Sequence, residues 1–150
     1  PEPTSIIRLS PWLNLRSPGA TRRVAMPHFT KLETALIEGA LALLGDRAGS
    51  VRAQLAACTV VDCDNNGHGF YTTIAIDRSV VPPAPWGSGP IEGGSGYLIG
   101  VGESNYLFQS LLWFEDGYLD CLEAYQLGDS HGRTVDLKNF DLSRLGLKPL

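Results

Sequence analysis

The fold of this chain is decided by residues 105–126, NYLFQSLLWFEDGYLDCLEAYQ. Two runs rich in aromatic and aliphatic residues flank Asp116-Gly117, a dipeptide typical of the type I′ turn that joins the two strands of a β-hairpin. A two-residue turn at this position sets the register of the strands. It predicts that Phe114 faces Leu119, Leu112 faces Cys121 and Phe108 faces Tyr125.

The same register assigns each hairpin side chain to one of two faces, because neighbours along a strand point in opposite directions. One face is predicted to be the core surface, and it consists of Phe108, Leu112, Phe114, Leu119, Cys121 and Tyr125. Ser110 and Glu123 are opposite each other within it, and a buried Glu123 needs a partner, for which Arg52 and Arg133 are the candidates.

The second face of the hairpin carries Leu107, Gln109, Leu111, Trp113, Asp120, Leu122 and Ala124. Both faces are too apolar to be fully solvated. We therefore expect either that helices cover one face and a loop the other, or that one face is an interaction surface.

Helices are predicted before the hairpin. Thr30 and Glu33 have the spacing of a capping box, in which each side chain accepts a hydrogen bond from the other's backbone N–H. The inward face of this helix is predicted to consist of Leu32, Leu36, Ala40, Leu43 and Leu44, and Gly45 is expected to end it in a left-handed conformation. A shorter second helix is predicted over residues 50–57, with Ser50 as N-cap and Val51 and Leu55 facing inward.

From residue 58 onward the apolar period changes to two, which indicates strands. We predict strands over residues 59–63, 70–76 and 97–101, besides the two of the hairpin. Residues 81–96 contain many prolines and glycines and are predicted to form a long loop, whose glycine-rich end at residues 93–96 is flexible. The tail, residues 135–150, is expected to form one last short helix or strand. The predicted fold class is α+β, with two N-terminal helices packed on an antiparallel sheet of about five strands.

The first 25 residues differ in composition from the rest. They carry four arginines against a single acid, Glu2. An Arg-rich, acid-poor segment could be a targeting peptide. Since no signal-type apolar core is present, we instead interpret residues 1–25 as a flexible leader or an over-extended start ahead of Met26. Residues 26–150 are predicted to form a single domain.

The amino-acid composition argues against several classes of protein. Twelve basic and sixteen acidic residues give a net charge of −4, which does not favour nucleic acid as a partner. No apolar run is long enough to cross a bilayer. Three cysteines are a poor disulfide framework for a chain that can build its own core. We expect a soluble, cytoplasmic protein with free thiols.

Two segments resemble metal sites, and each has a simpler explanation. Residues 62–67, DCDNNG, resemble the start of a calcium loop, but the later ligand position holds Thr73 where a bidentate Glu is needed. A tight turn explains the same residues. Cys58, Cys63 and His68 could supply zinc ligands, yet their spacing matches no compact zinc pattern. The sequence therefore predicts no metal and no cofactor.

The hairpin and the loop before it carry the predicted contact surface. Aromatic side chains among acids suit a protein-binding patch. The candidate binding residues are Trp86, Trp113, Glu115, Asp116, Tyr118, Asp120 and Glu123, and no catalytic residue is assigned. The alternative is a small enzyme or ligand-binding domain with a site near Cys63, His68 and Glu123, because a cysteine nucleophile requires a base within hydrogen-bond reach.

Residues 111–125, LLWFEDGYLDCLEAY, and the Gly128-Asp129 that follows resemble a pattern of small uncharacterised bacterial proteins. Residues 67–72, GHGFYT, are similar to a second piece of that pattern. Some proteins with similar hairpins resemble immunity proteins of bacterial toxin systems, which bind a cognate toxin. The resemblance implies a non-enzymatic protein-binding module, of the type that inhibits a partner protein.

Overall fold

The structure, a computed structural model, describes residues 28–150. The described part of the chain is α+β, as predicted, with helices on one face of an antiparallel sheet. The predictions for residues 1–25 and for a start at Met26 lie outside the described residues.

Helix α1 (Lys31–Leu44) begins at the predicted capping box. The Thr30 side chain accepts a hydrogen bond from the Glu33 N–H at 3.1 Å, and Glu33 Oε1 accepts one from the Thr30 N–H at 2.7 Å. Gly45 follows the helix with a positive φ of 57°. The capping signals therefore predicted where α1 begins and ends, but the predicted left-handed conformation of Gly45 was wrong. Its ψ is −120°, because the chain turns directly into a further helical segment.

The buried face of α1 is slightly rotated from the predicted one. Leu43 is 59% exposed, whereas Ile37 and Leu41 are buried together with the predicted Leu32, Leu36, Ala40 and Leu44. The inward position of Leu43 was therefore wrong, because the side chains that reach the sheet are those at the angular positions of Ile37 and Leu41.

A 3₁₀ turn (Gly45–Ala48) leads directly into the short helix α2 (Gly49–Ala56). The predicted N-cap Ser50 was wrong: Ala48 holds that position, because the chain enters α2 from a turn that is already helical. Val51 is buried as predicted, and Leu55 is half-buried.

Gln54 of α2 is completely buried and holds the helix to the hairpin turn. Its Nε2 donates to the Gly117 carbonyl at 2.9 Å and to the Pro82 carbonyl at 3.2 Å, and its Oε1 accepts from the Leu119 N–H at 2.8 Å. All these bonds are made to backbone groups, so this amide fixes the hairpin turn relative to the helices.

One antiparallel sheet contains the seven strands of the described residues. They are β1 (Cys58–Asn65), β2 (Gly69–Ile76), β3 (Gly89–Glu92), β4 (Gly96–Ile99), β5 (Leu107–Glu115), β6 (Tyr118–Gly128) and β7 (Gly146–Pro149). The order is β1-β2-β6-β5-β4-β7, and β3 pairs with the part of β5 that β4 leaves unpaired.

The prediction of about five strands was therefore too low. Strand β3 lies inside residues 81–96, which were predicted to be a loop, and β7 lies in the tail after two 3₁₀ turns. Pro90 in β3 lowers the strand propensity of that segment, but proline is tolerated in a short edge strand.

The hairpin has the predicted turn but not the predicted register beyond it. Asp116 and Gly117 both have positive φ, 55° and 84°, as a type I′ turn requires. Phe114 pairs with Leu119 as predicted, but Trp113 then pairs with Cys121, so that Asp120 is an extra residue in β6. This β-bulge shifts the pairs from Trp113 to Phe108 by one residue, and a second irregularity shifts the last pair, Leu107 with Gly128, by one more.

Because of the bulge, three of the predicted residue pairs between β5 and β6 were wrong. Leu112 pairs with Leu122 instead of Cys121, Phe108 with Gln126 instead of Tyr125, and Ser110 with Ala124 instead of Glu123. As a result Leu122 and Ala124, predicted for the second face, are buried under the helices.

The glycine-rich end of residues 81–96 is packed rather than flexible. The Gly94 N–H donates to the Leu36 carbonyl of α1 at 2.8 Å, and Ser110 Oγ donates to the Gly94 carbonyl at 2.8 Å. A Cβ atom on Gly39 would overlap Gly94 Cα. These glycines allow α1 and the chain between β3 and β4 to touch through their backbones.

Glu33 connects the start of α1 to the middle of the sheet. It is 3% exposed, and while its Oε1 takes part in the capping box, its Oε2 accepts a hydrogen bond from the Thr72 hydroxyl of β2. Thr72 is completely buried, and its Oγ1 also lies 3.7 Å from Cys63 Sγ. Both oxygens of the buried carboxylate thus have a donor.

We expect Thr72→Val to lower the free energy of unfolding by about 1–3 kcal/mol, since it leaves Glu33 Oε2 buried without its donor. Urea unfolding followed by circular dichroism measures this. The control is Thr73→Val on the opposite face of the same strand, where a change within about 0.5 kcal/mol is expected. Equal losses in the two variants would contradict a special role of the Glu33–Thr72 hydrogen bond.

Candidate functional site

Helices α1 and α2 cover the sheet face that carries Thr72 and Leu112, and we call the opposite face the outer face. Its centre consists of two rows, each with one residue from β1, β2, β6, β5 and β3 in that order. The first row is Asp64, Tyr71, Glu123, Leu111 and Glu92, and the second is Asp62, Thr73, Cys121, Trp113 and Pro90.

Glu123 lies at the centre of the outer face and is held by two aromatic side chains. Its Oε1 accepts a hydrogen bond from Trp113 Nε1 at 2.8 Å, and its Oε2 accepts one from the Tyr71 hydroxyl at 3.1 Å. The predicted core position of Glu123 was therefore wrong, because the bulge at Asp120 turns it outward. Ring donors, rather than Arg52 or Arg133, are its partners.

The two rings are exposed although they are fixed in place. Trp113 is 37% exposed and Tyr71 is 41% exposed. The hydrogen bond to Glu123 is the main reason why the pKa of the Tyr71 hydroxyl is raised, and burial and the charge of Glu123 add to it. Apolar ring surface and carboxylate charge are thus offered together on the outer face.

Three predicted binding residues lie at the hairpin tip, where the outer face ends. The Arg78 guanidinium carbon lies 4.6 Å from the centre of the Tyr118 ring, and Arg78 Nη1 is 3.6 Å from the Asp116 carboxylate. The Tyr118 hydroxyl donates to the Val81 carbonyl at 3.1 Å, and Arg78 Nη2 donates to the Glu115 carbonyl at 3.4 Å. The tip is therefore bound to the segment that precedes β3.

Two predicted binding residues do not belong to this surface. Trp86 is half-buried against the helix side of the sheet, with its ring at 89° to that of Phe114 and a centroid distance of 5.3 Å. Asp120 is 5% exposed, because it is the bulged residue of β6. The structure thus brings together Trp113 and Glu123, places the three tip residues at one end, and separates Trp86 and Asp120 from them.

Cys63, His68 and Glu123 do not form a common site. Cys63 pairs with Thr72 and lies on the helix side of β1, whereas Glu123 lies on the outer face. The sheet therefore separates the thiol from the carboxylate. Cys63 is exposed, but partial desolvation of its thiol is the main reason why the Cys63 pKa is raised, and burial raises the pKa of Cys58 to about 11.

Residues 65–69 form the predicted tight turn. Asn66 Oδ1 accepts hydrogen bonds from the His68 N–H at 3.0 Å and the Gly69 N–H at 2.8 Å, and Asn65 Oδ1 accepts one from the Gly67 N–H at 2.9 Å. These amide oxygens are used by the backbone of the turn itself. Within residues 28–150, no group of three or more His, Cys, Asp or Glu side chains is arranged to hold a metal ion.

A cleft of about 530 Å³ lies away from the outer-face rows, between residues 103–107 and 128–133. Asp129 shapes it by accepting hydrogen bonds from the backbone N–H groups of His131 at 2.9 Å and Arg133 at 2.8 Å. These bonds, the Arg133 one first, lower the pKa of Asp129. None of the predicted binding residues lines the cleft.

Tyr71 and Glu92 are outer-face residues that were not among the predicted binding residues, and Asp64 was considered only as part of a calcium loop. The predicted strand over residues 70–76 implied that Tyr71 points away from Phe70, but nothing in the sequence shows that β2 pairs with β6. That pairing places Tyr71 beside Glu123, and the pairing of β3 with β5 adds Glu92 to the same row.

Comparison of the chain with protein-family models, with curated proteins and with solved structures finds no significant match in any of the three. None of the helices in residues 28–150 has the length and apolar character needed to cross a membrane.

We expect Glu123→Gln to lower the pKa of Tyr71 toward the ordinary value of a tyrosine, because the amide carries no negative charge. Absorbance titration, with the Tyr71→Phe protein subtracted to isolate this residue, measures the change. Because folding raises this pKa, the Tyr71 contribution to stability is present below the ordinary tyrosine pKa and is lost as pH rises through the raised value. Glu92→Gln, in the same row, is the control, and an unchanged Tyr71 titration in Glu123→Gln would contradict the assignment.

Iodoacetamide is expected to label Cys63 alone in the native protein, since Cys58 and Cys121 are buried. The rate should be lower than for a cysteine in an unfolded chain, because a raised pKa leaves less thiolate. Mass spectrometry of the labelled protein, with the urea-unfolded chain as control, checks both points. Labelling of Cys63 faster than in the unfolded chain would indicate an activated nucleophile instead.

Proposed function

We propose that this chain is a non-enzymatic protein-binding module that holds a partner protein on its outer face. The observation that carries the proposal is the pair of exposed rings, Trp113 and Tyr71, both anchored to Glu123. Trp and Tyr contribute most strongly to protein interfaces. Since their hydrogen bonds already restrict these rings, less side-chain entropy is lost when a partner binds.

The negative charge of the outer face favours a partner protein with a basic surface. The first row contains three carboxylates, those of Asp64, Glu123 and Glu92, and the second row adds Asp62 at the β1 edge. No lysine or arginine belongs to either row. A partner that presents basic side chains would be attracted to this face and oriented on it.

The resemblance of residues 111–125 to a hairpin found with immunity-type proteins supports a finer proposal. The partner is then a toxin, and this chain inhibits it by covering its surface. The proposal requires no catalytic residue, which agrees with a thiol and a carboxylate separated by the sheet.

Affinity capture from the native host, followed by reconstitution with the purified captured protein, tests the binding function. We expect Trp113→Ala to weaken the complex about 30-fold, the loss of a typical interface hot spot, in isothermal titration calorimetry. Tyr71→Ala should weaken it in the same direction. If the captured protein is an enzyme toxic to the host, its activity should fall on addition of the wild-type chain.

The matched control is Leu43→Ala, which removes an exposed apolar side chain from α1 on the helix side of the sheet. This variant should bind like the wild type, and unfolding curves confirm that all variants are folded. A reconstituted complex whose dissociation constant is the same for the wild type, Trp113→Ala and Tyr71→Ala would overturn the proposal.

A further inference from the structure

We infer, on the basis of the protein-binding function proposed above, that the partner segment is an α-helix lying across the strands, with a basic side chain at every seventh position. The first row of the outer face carries the inference. Along this row, carboxylates on β1, β6 and β3 alternate with Tyr71 on β2 and Leu111 on β5.

The distance between the carboxylates of this row sets the distance between the basic side chains of the partner segment. Neighbouring strands lie about 4.8 Å apart, so Asp64, Glu123 and Glu92, on every second strand, are spaced by about 10 Å. Seven residues of an α-helix rise about 10.5 Å and bring the chain back to nearly the same side of the helix. Lysine or arginine at positions i, i+7 and i+14 would therefore meet the three carboxylates.

A partner segment in another backbone conformation does not present side chains at the spacing of this row. In a β-strand, residues on one side repeat about every 6.6 Å, which does not fit a 10 Å interval. A polyproline II helix repeats every third residue, about 9.3 Å, and could reach the carboxylates. It has no side chain on the same side halfway between, however, where Tyr71 and Leu111 offer apolar surface.

An α-helix has such side chains. Positions i+4 and i+11 point to nearly the same side as i and i+7, and they lie about 6 Å further along the axis than the preceding basic residue. Apolar residues there would contact Tyr71 and Leu111. The partner segment is thus predicted to have a basic residue, an apolar residue four positions later and the next basic residue three positions after that. This pattern is repeated at least twice.

Synthetic peptides of about 20 residues, long enough for an alanine-rich helix, test the inference with the purified full chain. The matched peptide has lysines at i, i+7 and i+14 and leucines at i+4 and i+11. A second peptide has the same composition with the lysines moved to the opposite side of the helix, and a third is a proline-rich peptide with lysine at every third position. We expect the matched peptide to bind at least about tenfold more tightly than either in fluorescence anisotropy.

Protein variants locate the contact. Asp64→Asn combined with Glu92→Gln should weaken the matched peptide at least about tenfold and reduce the salt dependence of its binding. Glu38→Gln, an exposed charge on α1, should leave binding unchanged apart from a small effect of net charge. Equal binding of the three peptides, binding of none, or an unaffected double variant would overturn the inference.

These outcomes are distinguishable from failure of the protein-binding function itself. A natural partner that needs Trp113 and Tyr71 but is insensitive to Asp64→Asn with Glu92→Gln would keep the proposed function and remove the helix inference. A natural partner that is insensitive to all four positions would remove both.

Discussion

The extra residue in β6 is the constraint on which the rest of the site depends. Phe114 pairs with Leu119 and Trp113 with Cys121, so Asp120 is the residue inserted between the two pairs. Because side chains alternate between the faces of a strand, one inserted residue exchanges the faces of everything that follows it. Leu122 and Ala124 are thereby buried under the helices, and Glu123 is turned outward between Tyr71 and Trp113.

Buried hydrogen bonds, as well as apolar packing, hold the helices against the sheet. Glu33 bonds the start of α1 to Thr72, Gln54 bonds α2 to the hairpin turn, and Gly94 bonds the chain between β3 and β4 to α1. Each of these groups is satisfied within the fold, so that none is left to serve a ligand.

The central side chains of the outer face are exposed to solvent and are nevertheless held in place by hydrogen bonds. A carboxylate that accepts hydrogen bonds from two ring donors stays in place, and it keeps both rings in place in turn. The result is a rigid aromatic and acidic surface, formed by strands β1, β2, β6, β5 and β3, which belong to distant parts of the sequence. The binding of a partner protein proposed above rests on this surface.

Features encoded within a few residues were predictable from the sequence. The capping box of α1, the turns at Asn66 and Asp116-Gly117 and the Phe114–Leu119 pair next to that turn all follow from local chemistry, as does Trp113 on the second face of the hairpin. Strands β3 and β7, whose sequences have weak strand propensity, became strands because neighbouring strands offered them hydrogen-bond partners.

Tertiary structure alone decided that Tyr71, Glu123 and Glu92 form one row and that Cys63 and Glu123 are separated by the sheet. The order of strands and the position of a bulge are not properties of any one segment. They minimise the free energy of the whole core, where the burial of Leu122 and Ala124 under α1 and α2 outweighs the regular register that the turn by itself favours.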